Sequence, residues 1–155
     1  MRDLFTAARG VQAFCFSQGW RFCFIGGLAV WRWGKPRFTQ DIDLTVLAGF
    51  RDEEYIVDAF LARYPSRVPN GRELFLAQRV LRLVDDGGVP MDIALGGLPF
   101  EESAVVRATD HEFVAGEPLR VCSAEDLLVM KAFAARPHDW GDADAVVARN
   151  PAGLD

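Results

Sequence analysis

A glycine pair, Gly26-Gly27, is separated by thirteen residues from the run Asp41-Ile42-Asp43-Leu44-Thr45-Val46. No other feature restricts the fold as tightly. The segment before the pair, Arg21-Phe22-Cys23-Phe24-Ile25, is short, apolar and aromatic and predicts a buried strand. Leu28 to Trp33 predicts a helix that ends at Gly34. Pro36 blocks its continuation and makes residues 35–40 a polar loop. The next segment alternates with a period of two. It predicts a strand with Ile42, Leu44 and Val46 on one face and Asp41, Asp43 and Thr45 on the other. The unit is strand, glycine turn, helix, loop, strand, with two carboxylates at the entry to the second strand.

Two ionised carboxylates on one face repel each other, and an oxygen-seeking divalent cation such as Mg²⁺ removes that repulsion. Taken alone, the pair reads equally as two acids facing solvent. A glycine pair between strand and helix lets a ligand approach the backbone, next to a helix N-terminus that favours phosphate. Taken alone, it is also a tight turn with no ligand. A third acid, Asp92, lies in Val89-Pro90-Met91-Asp92-Ile93-Ala94-Leu95, where its apolar neighbours predict that it alternates out of the core. Beside the Asp41/Asp43 strand it would complete a group of three carboxylates; elsewhere it is a surface acid.

The remaining pattern alternates helices with short strands. Apolar residues spaced by three and four predict a helix over 4–18, stopped by Gly19. A helix is expected over 52–64, and 71–77 is ambiguous. Residues 79–84 and 89–95, joined through Asp85-Asp86-Gly87-Gly88, predict a hairpin. Residues 99–121 read as a short helix followed by irregular strand. Ser123 caps a helix that Pro137 is expected to end, and residues 142–149 form a last short helix. The 155 residues, 50% hydrophobic and 25% charged, suit one domain over 1–155. The net charge of −5 disfavours a large nonspecific nucleic-acid surface. No apolar stretch reaches the ~20 residues of a membrane span. Cys15, Cys23 and Cys122 sit in apolar contexts, as expected of buried thiols in a reducing cytoplasm.

Four motifs in order carry a family resemblance. Phe24-Ile25-Gly26-Gly27-Leu28-Ala29, then Arg37-x-Thr39-x-Asp41-Ile42-Asp43-Leu44, then Met91-Asp92-Ile93, resemble the polymerase β-like nucleotidyltransferase superfamily. Ser123 to Arg136, which contains Lys131-Ala132-Phe133-Ala134, and Asp139-Trp140-Gly141-Asp142 narrow this. They resemble the minimal nucleotidyltransferases of the abortive-infection toxin type, found in toxin–antitoxin modules. The resemblance implies an α/β (α+β) fold with a mixed sheet flanked by helices. It implies that Asp41 and Asp43 bind two Mg²⁺ ions, and that Asp92 binds one and helps deprotonate the attacking hydroxyl. Gly26, Gly27, Arg37, Thr39 and Lys131 would hold the NTP, with Arg136, Asp139 and Asp142 close behind. Many relatives carry Gly-Ser where this chain has Gly26-Gly27, so a hydroxyl contact to phosphate is missing at that position.

The expected activity is Mg²⁺-dependent transfer of an NMP from an NTP to a hydroxyl, on an RNA 3′ end, a protein or a small molecule. An antitoxin partner follows from the same resemblance, and a cytoplasmic location from the cysteines. The alternative is a non-catalytic NTP-binding or antitoxin-like interaction module that keeps the fold. Lys131 has its own alternative, a lysine that snorkels from an amphipathic helix. Arg136, Asp139 and Asp142 also read as a loop ion pair and a helix N-terminal acid.

Overall fold

A computed structural model describes residues 3–154; Met1, Arg2 and Asp155 lie outside the described residues. The elements in chain order are α1 (Leu4–Ser17), β1 (Phe22–Ile25), α2 (Gly26–Trp33), β2 (Ile42–Leu47), α3 (Glu53–Arg63) and α4 (Gly71–Gln78). They continue as β3 (Val80–Val84), β4 (Pro90–Gly96), α5 (Pro99–Arg107), β5 (Thr109–Val114), β6 (Glu117–Val121), α6 (Ala124–Ala134) and α7 (Pro137–Arg149). Asp3 caps α1 through its side chain, which accepts the Thr6 N–H at 2.7 Å. Gly19, with φ +71, lets the chain turn out of that helix.

The strands form one mixed sheet in the order β3-β4-β2-β1-β6-β5. β2 runs antiparallel to β1 and parallel to β4, and β6 runs parallel to β1. That arrangement brings four chain ends to one sheet edge: the ends of β1 and β6 and the beginnings of β2 and β4. Gly26, Asp41, Asp92 and the start of α6 therefore meet, although up to about a hundred residues separate them in sequence.

The core explains which residues of β2 stay partly open. Ile42, Leu44 and Val46 are fully buried with Phe22, Phe24, Leu81, Leu83, Met91 and Ile93. Alternation predicts that Thr45 faces solvent, yet it is buried, because α5 packs on that side of β2. The acidic face of β2 is thus confined to its first residues. On the opposite layer, Phe14, Trp20, Phe60 and Tyr64 pack edge to face or tilted at 5.2–6.3 Å between ring centroids. Cys15, Cys23 and Cys122 are free and buried, and burial pushes the Cys15 and Cys23 thiols up to about 12.

Two local expectations are corrected and one open reading is settled. Residues 109–121 are a regular antiparallel hairpin, β5–β6, with one bulge between Glu112 and Val114, and not irregular strand. Residues 71–77, ambiguous from sequence, are helical as α4. Pro137 does not stop α6; Ala135, in the left-handed region at φ 51, does. Pro137 instead opens α7, since its missing N–H costs nothing at the first helical position. The last helix consequently starts five residues before Asp142 and includes Asp139. Among the described residues no helix is long and apolar enough to cross a membrane.

Candidate active site

Register brings the first two functional side chains together. Asp43 and Asp92 are cross-strand partners in the parallel β2–β4 pair, so their side chains leave the same face of the sheet at the same level. Both are half-buried. Burial comes first in raising the Asp43 carboxyl to about 6, followed by the negative charges of Asp92 and Asp41. The Gly27 N–H, which donates to Asp43, and the Lys131 charge pull the other way without overcoming this. Asp41 stands exposed one residue before β2 begins. The Asp92 carboxylate accepts from Arg67 of the α3–α4 connection. Among the described residues no three His, Cys, Asp or Glu side chains are gathered closely enough to hold an ion as they stand. The donor chemistry still suits a hard divalent cation: two level carboxylates, a third within electrostatic reach, and more negative charge than Asp43 tolerates.

The glycines are fitted to these acids. Gly26 opens α2 at φ +57, and a Cβ placed there would lie 2.1 Å from Asp43 Oδ2. Gly26→Ala should therefore strain the backbone and push the Asp43 carboxylate aside. We expect it to cost about 1–3 kcal/mol of stability and most of the activity, checked by denaturant unfolding and by label transfer from NTP. A Cβ on Gly27 would lie 2.5 Å from Thr39 Oγ1. The space that a serine side chain at position 27 would enter is thus occupied by the Thr39 hydroxyl.

Behind the acids lies an ion-pair network. The buried Lys131 ammonium donates to Asp139 Oδ1 and Asp142 Oδ2, both at 2.8 Å. Arg37 reaches Asp142 with Nε at 3.0 Å and Nη2 at 3.2 Å, and Arg136 Nε donates to Asp139 at 2.8 Å. The resemblance puts Lys131 and Arg37 at a nucleotide; the structure places both cations against the acids of α7. The network joins α6, α7 and the loop that carries Thr39. Burial by itself would raise Asp139; Arg136 and Lys131 reverse that and hold it well below the usual carboxylate range. Asp142 behaves alike, with Lys131 and Arg37 overcoming its burial.

These shifts have opposite signs in the stability of the metal-free protein. Asp43 holds a proton in the folded state at pH values where the unfolded chain has lost it. Its ionisation therefore lowers stability as pH rises from about 4 to about 6. Asp139 and Asp142 contribute stability that is present above the unfolded value near 3.8 and is lost as pH falls below it. Without divalent metal, the melting temperature should peak in mildly acidic solution, and Asp43→Asn should remove the decline between pH 4 and 6. A wild-type decline that survives in Asp43→Asn would assign it to another group.

Arg67 is the site residue that sequence reasoning missed. It lies between Pro65 and Pro69 with no periodicity or motif around it, and only the pairing of β3 with β4 brings that connection to Asp92.

The family model described as "Nucleotidyl transferase AbiEii toxin, Type IV TA system" matches residues 15–153. The chain belongs to the AbiEii nucleotidyltransferase toxin family. It is thus a nucleotidyltransferase, an enzyme that moves a nucleoside monophosphate from a nucleoside triphosphate to an acceptor. Solved structures share the fold at low identity. An antigenic nucleotidyltransferase-like protein from Paracoccidioides brasiliensis superimposes with a TM-score of 0.63 at 17% identity, over 94% of this chain and 75% of that one. The lincosamide antibiotic adenylyltransferase LnuA, lincomycin-bound, gives 0.58 at 12% identity, over 88% and 91%. ANT(2″)-Ia in complex with adenylyl-2″-tobramycin gives 0.57 at 19%, over 93% and 87%. No curated protein matches the chain.

Proposed function

We propose that this AbiEii-family enzyme is Mg²⁺-dependent and transfers an NMP to a hydroxyl acceptor at the Asp41/Asp43/Asp92 edge of the sheet, acting as the toxin of a toxin–antitoxin pair. The observation that carries this reading is the level placement of Asp43 and Asp92, packed against a glycine that admits no side chain. Asp43 and Asp92, with Asp41, would hold the divalent ions, which when bound neutralise phosphate charge and polarise the phosphorus centre.

The chain's own residues supply the rest. The acceptor oxygen bonds to the α-phosphorus, the α–β P–O bond breaks, and pyrophosphate leaves with its electron pair. The hydroxyl proton passes to the Asp92 carboxylate. Gly26 and Gly27, at the N-terminus of α2, let the triphosphate approach backbone N–H groups. Thr39 provides the hydroxyl that a serine provides in many relatives. Arg37 and Lys131 act one step back: tied to Asp142 and Asp139, they fix the Thr39 loop against α7.

Thr39→Val tests the phosphate contact, since it keeps shape and removes the hydroxyl. We expect NTP to bind about ten- to a hundredfold more weakly, the scale of one hydrogen bond to a charged group, with the fold intact. Equal affinity by calorimetry would remove Thr39 from the nucleotide site. The acceptor is sought by incubating α-labelled NTP with RNA, protein and small-molecule fractions separately. Growth arrest that depends on Asp43 and is relieved by a co-expressed partner would support the toxin role.

A further inference from the structure

The guanidinium of Arg67 stands at the carboxylate that the proposed cation needs. Asp92 accepts from Arg67 Nη2, and both side chains are about one-third exposed (34% and 36%). The segment that carries Arg67 is fastened to β3. The Arg67 N–H donates to the Arg82 carbonyl at 2.9 Å, the Val84 N–H donates to the Pro65 carbonyl at 3.0 Å, and Ser66 Oγ donates to the Val68 carbonyl at 2.7 Å. The backbone is therefore held, and release of Asp92 requires only that a partly solvated side chain turn away. A second arginine, Arg82, lies directly opposite Asp92 in the β3–β4 register, so it places similar charge nearby. The carboxylate is bonded to Arg67.

We propose that Arg67 is the resident cation of the metal-free site: it holds Asp92 until a divalent ion displaces it, and so sets the affinity of the site for metal. This rests on the metal-binding reading of Asp43 and Asp92. A guanidinium satisfies one carboxylate with a single charge. A divalent ion can serve Asp43 and Asp92 together, which the register permits and which a planar donor reaching from the β3 side does not. While Arg67 is bonded, the Asp92 oxygen it occupies is closed to a metal. The pair is partly exposed, so exchange is a modest handicap to binding and not a block. It keeps the empty site charge-compensated and leaves the arginine free once the ions are in place.

The test is Mn²⁺ binding without nucleotide, followed by the electron paramagnetic resonance of the free ion and by calorimetry. Arg67→Gln should bind Mn²⁺ about five- to tenfold more tightly than wild type. Arg82→Gln, which removes an equal charge without breaking the ion pair, should change affinity less than about twofold. Adding Asp92→Asn to Arg67→Gln should cancel the gain. Unchanged or weaker binding in Arg67→Gln, or an equal gain in Arg82→Gln, would overturn the proposal while leaving the metal site standing. If neither wild type nor Arg67→Gln binds Mn²⁺, the metal reading fails and takes this proposal with it. Thermal melts of each variant confirm that a folded protein is being titrated.

Discussion

Asp43→Asn is expected to lower nucleotidyl transfer by about a thousandfold or more while making the metal-free protein more stable. The loss follows because the amide keeps the size of the carboxylate but gives up the charge that would hold a divalent ion, a change of several kcal/mol in transition-state stabilisation. The gain follows from the raised Asp43 carboxyl. A group held at about 6, against an ordinary 3.8, opposes folding at pH 7 once ionised, because burial and the charges of Asp92 and Asp41 disfavour its anion. Removing that opposition should add about 1–3 kcal/mol, or roughly 2–12 °C in melting temperature for a chain of this size. The opposite pattern, an active but less stable variant, would mean that the carboxylate is structural. Stability given up for function in this way is common at active sites.

Lys131→Met should have the largest effect on stability. The substitution keeps the length of the side chain but leaves Asp139 and Asp142 as buried acids without their shared ammonium. Breaking a buried pair from one side costs about 3–5 kcal/mol, or roughly 6–20 °C here. Replacing Lys131, Asp139 and Asp142 together by Met, Asn and Asn should recover part of that loss, because the buried acids are gone and the guanidinium groups that lose these partners, Arg37 and Arg136, reach solvent. A solvent-facing lysine that reached only for phosphate would leave the melting temperature of the ligand-free protein unchanged. The two positions thus respond in opposite directions: loss of Asp43 charge stabilises, and loss of Lys131 charge destabilises.

Much of this is legible in the sequence, and the parts that are not share a cause. The strand–glycine–helix–loop–strand unit is local, so Phe22–Ile25, Gly26-Gly27 and the Asp41/Asp43 alternation were all readable from spacing. The hairpin of β3 and β4 was readable from its Asp-Asp-Gly-Gly turn. Which strand lies beside β2 is a long-range fact; period-two alternation places Asp92 outside the core but does not say that it stands level with Asp43. Pro137 is ambiguous in sequence because proline ends one helix and begins another equally well, and the deciding residue, Ala135, enters the left-handed region with no sequence mark. The strand β5 was obscured by the exposed polar residues of an edge strand and by its bulge. Lys131 was conspicuous within an apolar run, but its partners became visible only once α7 was seen to start at Pro137, which puts Asp139 in the first helical turn. Arg67 left no trace at all, since one arginine between two prolines has no pattern to read.

The central claim, that Asp43 and Asp92 form a metal-dependent site for nucleotidyl transfer, is tested most directly by following both products at once. Wild type, Asp43→Asn and Asp92→Asn are incubated with α-labelled NTP and an acceptor-bearing extract, with Mg²⁺ or with chelator, and label transfer and pyrophosphate release are measured together. Wild type with Mg²⁺ should release one pyrophosphate for each label transferred, and both variants and the chelated enzyme should do neither. Transfer at the wild-type rate by either folded variant, or undiminished transfer in chelator, would contradict it.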